Sequence, residues 1–199
     1  MADTSPADAV PAARDVVGGA VARAKALIEL FHDDQQAFTG LEAVGADDMP
    51  EPYAGLLAHN SHMTVAMERY HGGPVSLRVV AERNVPGDGV GDGGYAREIL
   101  LANGNGTIVQ YGIVRIDLSP LPEASRDAIL RKGEPLGRIL IASGMHREVQ
   151  AVDLLRLTPG PAFGDVMEAH GPTYGRVAEI RLDGRPAVEL LEVVPAFPG

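Results

Sequence analysis

The sequence predicts an α+β fold in which a six-stranded antiparallel sheet carries helices on one side. Apolar residues near the N-terminus recur at three- and four-residue steps, which is typical of an amphipathic helix. Beyond Pro74 the pattern changes to short runs typical of strands, separated by glycine-containing turns. The 199 residues suit one compact domain with at most a tail.

The N-terminal part is predicted to be helical after an arm. Residues 1–15 are rich in Ala, Asp and Pro and read as a partly disordered arm, and an amphipathic helix follows from Val16 to about Phe38. We therefore divide the chain into residues 1–45, the arm and helix, and residues 46–199, the folded domain. The apolar positions of this helix would also allow a homodimer. Shorter helices are expected at Pro50–Leu57, Met63–Tyr70 and Pro120–Lys132.

Six runs are predicted as strands, with the following bounds: Pro74–Glu82, Tyr95–Asn103, Thr107–Asp117, Glu148–Leu157, Tyr174–Asp183 and Arg185–Pro195. The turn sequences Asn103–Gly106 and Asp183–Gly184 supply residues that tolerate positive φ, so each predicts an antiparallel hairpin.

Composition excludes several classes of function. The formal net charge of −10 repels polyanions, so we expect no nucleic-acid partner. The absence of Cys excludes disulfides, thiolate metal sites and a cysteine nucleophile. The acidic start lacks the basic region of a signal peptide, and no apolar run approaches the roughly 18 residues of a membrane span. We expect a cytoplasmic protein with no membrane partner.

The recognisable motifs for cofactors are weak. The glycine-rich segment Gly87–Gly94 lacks the Gly-Lys-Ser/Thr ending of a phosphate loop and leads into a strand, so it predicts a mobile loop. His59 and His62 are three residues apart, but ordinary capping or pocket-lining histidines are the better interpretation, and no metal is predicted. No Gly-x-Ser-x-Gly motif of the α/β-hydrolases occurs.

Strand parity identifies three charged residues that point where apolar neighbours point. Arg97 shares its face with Ile99, and Arg176 and Glu192 likewise share theirs with apolar residues of their own strands. One interpretation is an internal Arg–Glu salt bridge. The other is a pocket in which the arginines bind anionic groups and the carboxylate transfers a proton. The opposite parity predicts solvated carboxylates at Glu98, Glu179 and Glu189.

Four stretches in register across residues 60–195 resemble the chorismate pyruvate-lyase family. They are Ser61–Thr64, Tyr95–Leu101, Pro135–Leu140, and Gly175-Arg176 through Gly184–Pro186 to Glu192. The resemblance implies a six-stranded antiparallel sheet with helical flaps over a small pocket. It also implies an enzyme that eliminates pyruvate from chorismate to leave 4-hydroxybenzoate, without a metal or organic cofactor.

The resemblance also implies site residues. Arg97 corresponds to the arginine that binds the aromatic carboxylate, and Glu192 to the catalytic carboxylate on the hydroxyl and enol-ether side. The backbone amides of Met63 and Leu136 correspond to further donors to the ligand carboxylate. Arg176 is expected, by geometry, to bind a second carboxylate.

The expected function is therefore a cofactor-independent carbon-oxygen lyase of this type. Two alternatives stay open. One is a lyase or isomerase acting on another small cyclic carboxylate, with His62 or His71 as an added acid or base. The other is a non-catalytic protein that only binds an aromatic acid.

Overall fold

The strand-like runs beyond residue 74 all form strands in a computed structural model, which describes residues 13–33, 37–85, 94–167 and 171–197. The strands are β1 (Phe38–Val44), β2 (Ser76–Val85), β3 (Gly94–Ala102), β4 (Ile108–Asp117), β5 (Arg147–Pro159), β6 (Thr173–Leu182) and β7 (Arg185–Val194). The helices are α1 (Ala13–Ile28), α2 (Tyr53–Leu57), α3 (Met63–His71), α4 (Glu123–Arg131), α5 (Leu136–Ala142) and α6 (Pro161–Met167), with a 3₁₀ turn at Ala46–Asp48.

The strands form one antiparallel sheet in the order β1-β5-β6-β7-β4-β3-β2. This confirms the predicted α+β class and both predicted hairpins, β3–β4 and β6–β7. At the second turn, Asp183 and Gly184 have φ values of 48° and 79°. Two consecutive positive φ values match the right-handed twist of the paired strands, which is why Asp-Gly is favoured there.

The sheet has seven strands, one more than predicted. Helix α1 ends at Ile28 instead of Phe38, and Phe38–Val44 pairs with β5 as an edge strand. The predicted division at residue 45 places this strand with the N-terminal arm, whereas in the structure it shares a sheet with the rest of the chain. Residues 1–12 of the arm and 87–93 of the glycine-rich loop lie outside the described residues.

Helices cover both faces of the sheet, not one side as expected. Helices α2 to α5 pack on the face that carries Ile99 and Leu190, and α1 and α6 pack on the face that carries Leu100 and Leu191. The central strands are buried on both faces, as the continuous burial of β3 shows. Such strands must be covered twice, because either face would otherwise expose a large apolar area.

Helix α1 directs its apolar positions into the chain's own core. Ala20, Ala24, Leu27 and Ile28 are all buried against the sheet. These positions therefore give no separate support for the predicted homodimer. Among the described residues, no helix is long and apolar enough to cross a membrane.

Candidate functional site

A small cavity lies between the sheet and helices α3 and α5. Its volume is about 30 Å³, enough for water, whereas a cavity that holds benzene measures about 150 Å³. A ring-sized ligand would therefore have to enlarge it. The walls are largely apolar and include Met63, Ile99, Leu101, Val114, Leu136, Val149, Ile180 and Leu190. The polar side chains of the walls are those of His62, Thr64, Gln110, Arg176 and Glu192.

Two helix N-termini meet at this cavity. Helix α3 begins at Met63 and α5 at Leu136, and both residues line the cavity. Their N-cap residues, His62 and Pro135, provide no side-chain hydrogen bond to the first turn. The first backbone N–H groups of a helix have no partner within the helix, and they favour negative charge. The structure thus brings together the two amides that the resemblance implied.

A glycine allows the two helix N-termini to approach this closely. A Cβ built on Gly137 would lie 2.8 Å from Thr64 Oγ1 and 3.4 Å from His62 Cβ. Contacts as short as 2.8 Å are not tolerated between a carbon and a neighbouring heavy atom, so one of the two segments would have to move.

Arg97 is a fully buried cation that forms no ion pair with a carboxylate of the described residues, and Glu82 only attracts it electrostatically. Its side chain is 0% exposed, its Nη1 makes a long 3.5 Å hydrogen bond to the Ile129 carbonyl, and Nε and Nη2 have no partner. Burial lowers the pKa of its guanidinium. Arg97 lies two residues before Ile99 on the same face of β3 and opposite Val114 of β4, and both of these residues line the cavity. Arg97 therefore lies on the sheet face that bears the cavity, although its own side chain is not one of the groups that line it.

Arg176 is fully engaged within the protein. Its Nε donates to Glu192 Oε2 at 2.8 Å, while Nη1 and Nη2 donate to the carbonyls of His59 (2.6 Å) and Ser61 (3.0 Å). The two side chains form a buried ion pair that fixes the segment between α2 and α3. For this pair the structure follows the salt-bridge interpretation, so Arg176 is not free for a second carboxylate.

Gln110 is a cavity residue that sequence reasoning missed. Its Nε2 donates to Glu192 Oε1 at 3.3 Å, and its Oε1 is buried without a partner. The signal was present, because Gln110 has the same strand parity as Val114 on β4 and therefore points to the same face.

The two predicted histidines lie at opposite ends of α3. His62 lines the cavity, and burial together with the positive charges of Arg147 and Arg176 lowers its pKa to about 4. His71 is in the last turn, where it packs against the Tyr70 ring and burial lowers its pKa. The structure does not bring His71 to the cavity. Within the described ranges, no cluster of three metal-ligating side chains occurs.

Glu98 is buried, which contradicts the parity-based prediction of a solvated carboxylate. On the face opposite the cavity, its Oε1 accepts a hydrogen bond from Tyr111 OH at 2.8 Å and lies 2.6 Å from His32 Nε2. Burial and the Glu98 charge raise the pKa of Tyr111 well above its usual range. The parity was correct, but α1 covers the face to which Glu98 points.

Comparisons with solved structures identify relatives of the fold. The sequence matches no protein-family model and no curated protein. The effector domain of PhnF from Mycobacterium smegmatis is similar with a TM-score of 0.51 and 14% identity, over 68% of this chain and 89% of that one. A GntR-family transcriptional regulator from Enterococcus faecalis is similar with a TM-score of 0.45 and 10% identity, over 62% of this chain and 97% of that one.

These comparisons support a chorismate lyase-like fold and correct the predicted function. The similar PhnF structure is an effector domain and not a lyase, so the prediction of a chorismate pyruvate-lyase, and of an enzyme, is contradicted. The catalytic roles predicted for Arg97 and Glu192 belong to that reaction, and the acid or base role predicted for His62 or His71 belongs to the alternative lyase or isomerase. Both sets of roles presuppose an enzyme.

Proposed function

We propose that this domain binds a small anionic molecule, an aromatic or cyclic carboxylate, and acts as a ligand sensor. The observation that carries the proposal is the completely buried guanidinium of Arg97 on the sheet face of the cavity, whose Nε and Nη2 have no hydrogen-bond partner among the described residues. An isolated buried charge is costly and is normally paired or hydrogen-bonded. A ligand carboxylate would supply the missing partner with a bidentate geometry that suits arginine.

The rest of the cavity supports the same ligand class. The backbone N–H groups of Met63 and Leu136 begin α3 and α5, so they would donate to the carboxylate beside Arg97. The apolar walls, which include Ile99, Val149 and Ile180, suit a hydrocarbon ring. In this proposal Arg176 is a positioning residue, because it holds Glu192 and the segment before α3 in place.

A sensing role agrees with the small cavity. A ring cannot enter about 30 Å³, so ligand binding would select a conformation in which the helices lie farther from the sheet. The similar PhnF domain is described as an effector domain, and a sensor that changes shape on binding fits that description. The net charge of −10 remains unfavourable for direct contact of this chain with nucleic acid.

Calorimetric titration of the whole chain with benzoate, cyclohexanecarboxylate and the neutral benzamide tests the proposal. We expect saturable binding of a carboxylate, binding of benzamide at least about tenfold weaker, and a loss of about tenfold or more in carboxylate affinity for Arg97→Met. The exposed Arg78→Met is the matched control and should bind like the wild type. Absence of saturable carboxylate binding, or equal binding by Arg97→Met, would contradict the proposal.

A further inference from the structure

The side-chain amide of Gln110 is held in one orientation by Glu192. Gln110 is 2% exposed, and its Nε2 donates to Glu192 Oε1 at 3.3 Å. A carboxylate only accepts hydrogen bonds, so the amide nitrogen must face Glu192 and the amide oxygen must face away from it. The flipped orientation would place two acceptors against each other.

The amide oxygen that results is an acceptor without a donor. Gln110 Oε1 is buried and has no hydrogen-bond partner, and Gln110 lines the cavity. Buried acceptors of this kind are rare in native proteins because each forfeits the hydrogen bonds it makes in water. Arg176, which lines the same cavity, already donates to Glu192, His59 and Ser61.

The charges around the cavity limit what kind of donor can serve. The one carboxylate among the residues that line the cavity, Glu192, is already paired with Arg176. In the proposed complex the ligand carboxylate pairs with Arg97, so no carboxylate of the cavity lining remains to compensate a cationic donor such as an ammonium group. A neutral N–H or O–H group would satisfy the amide oxygen without this penalty.

We infer that the ligand carries an uncharged hydrogen-bond donor in addition to its anionic group, and that Gln110 Oε1 accepts from it. Gln110 is then a specificity-determining residue, since it distinguishes substituted rings from unsubstituted ones. This inference rests on the proposed binding of a carboxylate. A site that hydrogen-bonds its ligand discriminates strongly against an analogue that lacks the donor, because the acceptor is left buried and unpaired.

Competition between related ligands tests the inference. Benzoate and the three aminobenzoate isomers, whose amino group is uncharged at neutral pH, are titrated into the wild-type chain, Gln110→Leu and Gln110→Met. We expect at least one isomer to bind the wild type about tenfold more tightly than benzoate. Both variants should lose this preference, because they replace the amide by an apolar group of similar length; the measured quantity is the ratio of isomer to benzoate affinity within each variant. The exposed Gln150→Leu is the matched control and should keep the preference.

The possible results distinguish a failure of the role inferred for Gln110 from a failure of the proposed carboxylate binding. If benzoate binds but no isomer is preferred, or if the preference survives in both Gln110 variants, the inference is overturned while the proposed carboxylate binding stands. If none of the four compounds binds the wild type, the proposed function fails and the inference fails with it. Thermal unfolding of each variant, measured without ligand, verifies that the chains being compared are folded.

Discussion

Arg176 Nε donates to Glu192 Oε2 at 2.8 Å, and the two residues lie directly opposite each other on β6 and β7. Arg97, a second buried arginine of this sheet face, forms no ion pair with a carboxylate in the part of the chain that the structure describes. One face of the sheet thus carries one compensated and one uncompensated guanidinium. Because a buried charge stabilises a fold only when it is paired, replacing the two arginines should have effects of opposite sign.

Arg176→Met should lower the free energy of unfolding by about 3–5 kcal/mol, since it leaves the Glu192 carboxylate buried without its cation. Urea unfolding measures this change. Arg138→Met removes a partly exposed ion pair with Glu68 and should cost less than about 1 kcal/mol. Equal losses of unfolding free energy for the two variants would show that the buried ion pair contributes no more to stability than the partly exposed one.

Arg97→Met should raise the free energy of unfolding of the unliganded chain by about 1 kcal/mol or more, because it removes a buried charge that forms no ion pair among the described residues and has only the attraction of the exposed Glu82 carboxylate. Methionine keeps most of the apolar stem in place. The same urea experiment measures the effect. A loss of stability comparable with that of Arg176→Met would mean that Arg97 is satisfied inside the protein.

Gly137→Ala should lower the free energy of unfolding by about 1–3 kcal/mol, because its Cβ would lie 2.8 Å from Thr64 Oγ1. Thr64→Ala in the same chain removes that oxygen and should restore part of the loss, which a double-mutant cycle detects. Gly133→Ala, where a Cβ meets nothing within 4 Å, is the control. Strict additivity of the two changes would contradict the proposed contact.

Stability should fall as the pH is lowered from about 6.5 to 4, with His62 as one cause. Its pKa is about 4 in the folded chain against 6.5 in its ordinary state, so in this window the unfolded chain binds a proton that the folded chain does not. Stability therefore rises with pH and is fully present above the unfolded value. His62→Gln should flatten the dependence, measured as urea midpoints between pH 7.5 and 4. The pH dependence of stability that remains in this variant should come in part from His59 and His71, whose pKa values are also lowered.

The matched control for this measurement is His146→Gln, which removes an exposed histidine. The slope of stability against pH should be smaller for His62→Gln than for this control. Equal slopes would show that the buried position of His62 does not affect its proton binding.

Tyr111→Phe should lower the free energy of unfolding by about 1.5–3 kcal/mol, because it removes a 2.8 Å hydrogen bond to the buried Glu98 carboxylate. Tyr70→Phe, at a residue that is 47% exposed, should change it by less than about 0.5 kcal/mol. A loss for Tyr111→Phe as small as that of the control would indicate that water or His32 alone satisfies the carboxylate.

Local patterns predicted most of the elements. Alternation, turn chemistry and glycine or proline boundaries predicted the strands β2 to β7, the hairpin turns and helices α3 and α4. The predicted and observed bounds of these elements agree to within a few residues. Strand β1 was missed because Phe38–Val44 includes Gly40 and lacks a clear alternation, so its conformation depends on pairing with β5. The helices on the second face of the sheet were not predicted, because no local sequence pattern shows on which face of a sheet a helix packs.

Side chains alternate along any strand, so the order of the amino acids is enough to place Arg97, Arg176 and Glu192 among apolar neighbours. Which of the two arginines is paired depends on the register of the strands in the folded sheet. Counting back from the Asp183–Gly184 turn would place Arg176 opposite Leu191, and a register shift near Arg181 moves its partner to Glu192. A single inserted residue thus formed the buried ion pair. Arg97, on a strand that is not adjacent to β7, was left without a carboxylate.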